Sequence, residues 1–240
     1  MRYIEKHYDT PTVIQHELEL KNLNLDEANL RNSETYAGKS GGQLYETVRD
    51  MPTFSALKEQ MYSEQGGVCC YCGMKLEYPF NPQYRVEHVL PKETHRELVG
   101  EYKNLLLSCR ATKEEVALRA DTSKPKAQRK GYIHCDEAKG SQEITYSPLN
   151  RACENAFWYD LKGEIHYNND EEAKKDIKTL GLDGEYLNKR RRIAIFSLLA
   201  LSEDELIAFR EGLQHPNSEG KFAEFYFVII DAINQLLPAV

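Results

Sequence analysis

The chain has 240 residues, of which 41% are hydrophobic and 29% charged, with a formal net charge of −7. This composition excludes a disordered or fibrous protein and leaves either one large globular domain or a small catalytic module with helical flanks. The negative balance argues against coating nucleic acid by bulk electrostatics, although a local basic groove remains open.

No stretch reaches the roughly 18 apolar residues that a membrane span needs; the longest candidate is "IAIFSLLAL" at 193–201. The first residues, "MRYIEKHYDT", are charged where a secretory signal carries an apolar stretch, so a cytoplasmic protein is expected. Two basic runs stand out, "RADTSKPKAQRK" (119–130) and "KRRR" (189–192). Each reads either as a set of phosphate contacts or as a solvated face.

In chain order, the Gly/Ser-rich "GKSGG" at 38–42 separates an N-terminal arm from a helix over 53–65, where Phe54, Leu57, Met61 and Tyr62 recur at helical spacing and Gly66 and Gly67 stop it. From 68 to 92 the pattern turns to β. Turn-forming "CGMK" and "FNPQ" bracket "LEYPF", and "YRVEHVL" follows as a strand ended by Pro91. "GEYKNLLLSC" (100–109) predicts a turn into a helix or a tight connection, and 110–131 a loop with one helix at 112–120. "EITYSPLN" predicts a strand, and "NAFWYDLKGEIHYN" a hairpin turning at Lys162 and Gly163. The remainder reads as helices over 170–180, 183–201, 203–213 (with Ser202 capping and Glu205 reaching back) and 219–237. Leu187, Ile193, Phe196, Leu199 and Leu206 are expected in a helical core.

Six cysteines in a chain expected to stay reduced point to metal binding or free thiols rather than disulfides. Cys69 and Cys72, with two residues between them, suit one tight turn presenting two thiolates to one ion, a spacing that Cys70 lacks. A tetrahedral site needs a second pair. Cys109 and Cys135 supply one, with His134 competing with Cys135 for the fourth place, while Cys153 reads as a free core cysteine.

The order of residues then becomes informative. After the cysteine pair come Glu87 and His88 with Pro91 beyond, Asn104 ahead of Cys109, and Asp136 and Lys139 in "HCDEAKG". This order resembles the HNH (ββα-metal) endonucleases. "CYCGMKL", "VEHVLPK", "YKNLLLSC", "HCDEAKG", "SPLN" and "LGLDGEYLNKRRRIAI" are similar to the HNH nuclease subunit of Septu-type antiphage systems, a subunit type that also accompanies some retrons.

The resemblance implies an α+β protein with a zinc-stapled ββα-metal nuclease core. It further implies His88 as general base, Glu87 and Asp136 as ligands of a catalytic Mg²⁺ or Mn²⁺, and Asn104 orienting the histidine loop through backbone hydrogen bonds. Cys69, Cys72, Cys109 and Cys135 would hold a structural Zn²⁺. The expected segments are an N-terminal arm at 1–52 that binds a partner, the nuclease core at 53–142 with its basic insertion at 110–131, and a β-hairpin with C-terminal helices at 143–240. The expected substrate is nucleic acid, phage or host DNA before RNA such as tRNA, and the expected partner an ATPase subunit.

Two points bear on geometry. Neighbours in a strand point to opposite faces, so Glu87 and His88 can serve one site only where the strand twists or ends. Asp136 stands where the family generally has Asn or His, and reads either as a metal ligand or as a solvated helix cap. The competing class is an inert zinc-stapled adaptor.

Overall fold

The computed structural model describes residues 1–32, 34, 36–77 and 84–238; the "FNPQ" turn and the end of "LEYPF" lie outside them. Helices α1 (Pro11–Asn22), α2 (Glu27–Asn32), α3 (Gly41–Arg49) and α4 (Phe54–Glu64) precede strand β1 (Tyr84–His88), which pairs antiparallel with β2 (Leu105–Cys109) in a register that sets His88 opposite Leu105 and Tyr84 opposite Cys109. After β2 come α5 (Lys113–Ala120), α6 (Lys126–Lys130), and α7 (Asp136–Lys139). Strand, strand and α7 form one unit, with residues 110–135 looping out between its second and third pieces.

Next come α8 (Cys153–Ala156), a hairpin of β3 (Phe157–Tyr159) and β4 (Ile165–Tyr167), and helices α9 (Glu171–Thr179), α10 (Glu185–Phe196), α11 (Glu203–Leu213) and α12 (Tyr226–Leu236). Ser202 and Glu205 form the expected capping box on α11. Gly163, at φ +76, sits in the hairpin turn, where a side chain would also strike the α10 backbone. No helix among the described residues is long and apolar enough to cross a membrane.

One hydrophobic cluster joins all three expected segments: Val13, Leu44 and Val48 from the first, Leu57 and Leu105 to Leu107 from the second, and Leu187, Val228 and Ile233 from the third. Residues 1–52 are thereby packed onto the strand pair. Lys6 Nζ donates to the Leu105 carbonyl (2.9 Å), and His16 Nε2 lies 2.9 Å from the Gly100 carbonyl.

The structure corrects four expectations. Residues 105–109 are a strand, not a helix or bare connection; Leu105, Leu106 and Leu107 are buried on both faces, and a strand covered on both sides reads as an unbroken apolar run. Residues 143–150 form no strand, because the Thr145 and Tyr146 amides donate to the Asp176 carboxylate (3.1 and 2.7 Å) instead of to a neighbour strand. The last helix starts at Tyr226 rather than 219; Phe222 and Phe225 donate to the Gly66 and Gly73 carbonyls (2.8 Å each), which ties that segment to the cysteine turn.

Finally, Leu187 and Leu206 are in the core, but Ile193, Phe196 and Leu199 are 65%, 73% and 63% exposed. Helix α10 buries the row Leu187, Arg191 and Ile195, at a spacing of four, which turns Ile193 and Phe196 outward.

Candidate active site and metal centre

Residues 68–75 form a tight turn closed by the pairing of Val68 with Lys75, in which the Cys69 amide donates to the Met74 carbonyl (2.8 Å) and the Gly73 amide to the Cys69 carbonyl (3.1 Å). Gly73 has φ +79, and a Cβ there would lie 2.7 Å from the Phe227 ring. The turn presents Cys69 and Cys72 to Cys109 at the end of β2 and Cys135 just before α7. All four sulfurs are buried and lie within 4.8 Å of one another, with no disulfide among them.

The separations of Cys69 from Cys135 (3.8 Å) and of Cys72 from Cys109 (3.7 Å) match the edge of about 3.8 Å that follows from tetrahedral Zn–S bonds of about 2.3 Å. Amides of Met74 and Cys109 donate to the sulfurs of Cys72 (3.5 Å) and Cys69 (3.3 Å). Burial opposes ionisation of Cys69, but hydrogen bonds from the surrounding sulfurs outweigh it and hold that thiol well below its usual range, whereas burial pushes Cys72 and Cys135 up. Without a counter-cation the cluster favours one thiolate, so ionising all four requires positive charge at its centre. The donor set therefore fits a metal ion such as zinc.

Cys135 takes the fourth place. His134 stands beside it, with Nδ1 3.2 Å from Cys135 Sγ and 3.6 Å from Cys109 Sγ, and its Nε2 is held by the buried Glu115 carboxylate at 2.6 Å. Cys70 and Cys153 are buried outside the cluster.

Cys135 also has a left-handed backbone, φ 57, and caps α7, so Asp136 is the first residue of that helix and the cap reading of Asp136 does not hold. Its carboxyl faces Arg85 Nη1 (3.5 Å) and adjoins Glu87. Because β1 ends at His88, the alternation of faces is broken, and Glu87, His88 and Asp136 all line one groove of about 480 Å³.

Glu87 and Lys139 are each 1% exposed and ion-paired at 2.8 Å. Tyr71 donates its hydroxyl to the same Glu87 oxygen (2.7 Å), and Lys139 also donates to the His88 carbonyl (2.9 Å). Burial, together with the Asp136 carboxyl, pushes Glu87 above the ordinary carboxylate range, while Lys139 pulls it back. Glu87 and Asp136 lie side by side in this groove, and among the described residues no group of three metal-ligating side chains includes them.

His88 Nε2 donates to the Val99 carbonyl (3.0 Å), leaving Nδ1 as the unprotonated nitrogen. Burial lowers its pKa to about 4 against the opposing effect of that carbonyl, so the imidazole is neutral near pH 7. The Tyr45 ring stands edge-on to it, centroids 4.9 Å apart. Asn104 accepts from the Leu90 amide (2.8 Å) and donates to the carbonyls of Leu90 (2.9 Å) and Leu98 (3.4 Å), pinning the loop after His88.

The groove is lined by four cations, Arg49, Arg85, Lys92 and Arg110, and by three acids, Glu87, Glu93 and Asp136. The basic run 119–130 is not among the residues that line it. Lys124 instead borders a second groove of about 470 Å³ with Tyr132 and Lys189. Of "KRRR", Arg191 is wholly buried over the Tyr159 ring with its guanidinium on the Leu182 carbonyl (2.8 Å) and Arg190 pairs with Glu224 (2.9 Å), which leaves Lys189 and Arg192 as its exposed cations.

Sequence reasoning passed over Tyr71, Tyr45, Arg49 and the burial of Lys139. Only Lys139 carried a signal, lying one helical turn beyond Asp136. A further group, Asp160, Glu164 and His166 on the hairpin, has its ligand atoms within 4.8 Å of one another but lies open to solvent. No protein-family model matches this sequence, and no curated protein matches it.

Proposed function

We propose that the chain is a metal-dependent HNH endonuclease that hydrolyses phosphodiester bonds in nucleic acid. DNA is the favoured substrate and RNA such as tRNA the second. The observation that carries this reading is the convergence of Glu87, His88 and Asp136 in one groove that four cationic side chains also line, with Asp136 one peptide bond from Cys135 of the four-cysteine cluster.

Zn²⁺ held by Cys69, Cys72, Cys109 and Cys135 is structural here, since four protein ligands leave no open position. Mg²⁺ or Mn²⁺ at Glu87 and Asp136 would compensate charge on the phosphate and the leaving oxygen. His88 takes the proton of the attacking water at Nδ1, since Nε2 is committed to Val99. Lys139 and Tyr71 hold Glu87 in place, and Asn104 keeps the segment after His88 in register. The cations of the groove contact backbone phosphates without reading bases.

In this reading the chain is the cytoplasmic effector of an antiphage complex with an ATPase partner. The outward apolar face of Ile193, Phe196 and Leu199 supports a partner surface on the C-terminal helices. The N-terminal segment, in contrast, is engaged with the nuclease core.

Wild type and His88→Ala, with equal metal content and melting behaviour, are incubated with plasmid DNA and with tRNA plus Mg²⁺ or Mn²⁺, alone and with the partner. Cleavage by wild type only is expected, and the cleaved polymer identifies the substrate. Equal cleavage by both removes His88 from the reaction. Absence of cleavage under every condition identifies a zinc-stapled adaptor instead.

A further inference from the structure

Helix α3 belongs to the segment expected to be an arm, yet it is fixed to the loop that follows His88. Ser40 and Gln43 form a capping box at its start. A Cβ on Gly41 would lie 1.9 Å from the Lys92 carbonyl oxygen, so only glycine permits this approach of two backbones, and the Gly42 amide donates to Glu93 (2.9 Å). Leu44 and Val48 are wholly buried beneath the helix. Tyr45 and Arg49, one turn apart, line the groove.

We propose that α3 completes the catalytic groove, Arg49 binding the substrate's phosphate backbone beside the scissile bond and Tyr45 holding the ring plane of His88. This rests on the nuclease reading above. The Nε2 bond to Val99 fixes one atom of the imidazole but leaves the ring free to tilt about it. Tyr45, at an interplanar angle of 85° and itself packed edge-on against Phe54 (5.9 Å), removes that freedom. Tyr45 is thus a positioning residue, acting on the reaction only through His88.

Arg49 and Arg85 line the groove on different terms. Arg85 is paired with Asp136. Arg49 is 57% exposed, and its ion pair is with the neighbouring Asp50, 76% exposed and 3.7 Å away, a contact that contributes little. A guanidinium so placed keeps its planar fork of donors for a phosphate.

The test uses the full metal-loaded chain and a short labelled DNA duplex, with cleavage kinetics in Mn²⁺ and binding measured without added divalent ion. Arg49→Ala is expected to keep the wild-type melting temperature while raising KM and Kd about tenfold and reducing the salt slope of binding by about one. Tyr45→Leu is expected to lower kcat with KM and Kd unchanged, and Tyr45→Phe, which keeps the ring, to restore it. Wild-type Kd and salt slope in Arg49→Ala, or equal kcat losses in Tyr45→Phe and Tyr45→Leu, would overturn the proposal. If wild type cleaves, His88→Ala does not, and α3 variants behave as wild type, only the role of α3 is lost. If wild type neither binds nor cleaves, alone or with the partner supplied, the nuclease reading fails and the role of α3 fails with it.

Discussion

Replacing Asn104 by alanine removes the partner of three backbone groups at once: the half-buried Leu90 amide, bonded at 2.8 Å, the Leu90 carbonyl at 2.9 Å and, more weakly, the buried Leu98 carbonyl at 3.4 Å. Each well-formed bond contributes about 1 kcal/mol net, and each buried group left without a partner costs about 1–3 kcal/mol. Water can reach part of the space vacated, so a loss of about 3 kcal/mol is expected for the two short bonds, or about 10 °C in melting temperature for a chain of this size.

Asn104→Asp is the sharper perturbation. It keeps the volume and the acceptor for the Leu90 amide, but it sets a carboxylate oxygen against two carbonyls in a site only 3% exposed. Repulsion and buried charge should make it at least as damaging as alanine. Urea unfolding of both variants, with metal content measured in parallel, gives the energies; cleavage at a temperature where both remain folded gives kcat. The metal should be retained and kcat reduced, because the loop after His88 moves while the cysteines do not. An Asn104→Asp variant as stable and active as wild type would falsify the assignment of the two donor bonds.

Cys72→Ser should lose most of its bound metal and melt far below wild type, checked by the thiolate-to-cobalt absorption of the Co²⁺-loaded protein; an unchanged spectrum removes Cys72 from the ligand set. Gly41→Ala forces a Cβ into the Lys92 carbonyl and should cost about 1–3 kcal/mol in chemical unfolding, where a surface glycine such as Gly212, with nothing within 4 Å, gains or loses far less on the same change. The pH dependence has a definite sign: His88 titrates at about 4 folded against about 6.5 unfolded, so its contribution is intact above pH 6.5 and lost as pH falls toward 4, by about 2 kcal/mol between pH 7 and pH 5. His88→Gln lacks this part, and the difference in unfolding energy between the two proteins should narrow across that interval; parallel curves would refute it.

The residues that the structure brings together were legible where their signals were local. Cys69 with Cys72, Glu87 with His88, and Cys135 with Asp136 are each set by residues within one turn or one strand end, and the bipartite cysteine pattern survives a separation of 25 residues because side-chain identity, not distance, reveals it. Strand β2 was not legible: three leucines in a row suit a helix as well as a doubly covered strand. Tyr45 and Arg49 were invisible because 42 residues separate Tyr45 from His88 in the chain, and no motif announces an edge-on ring. "KRRR" was only partly legible for the opposite reason. Four like residues look equivalent in a string, while a helix distributes them over its circumference, so Arg191 enters the core and Lys189 and Arg192 do not.

The excursion between Cys109 and Cys135 has a consequence for how such a chain can be altered. Its two ends are clipped together by sulfur and, further out, by Glu115 on His134 and Arg119 on Glu137 (2.7 Å), so the tip at 121–130 carries none of the groove's geometry. Lengthening a loop already closed at its base costs only about 0.6 kcal/mol per doubling. This tip is therefore the place where the chain can accept an inserted reporter or a regulatory module while the carboxylates and the histidine stay in register.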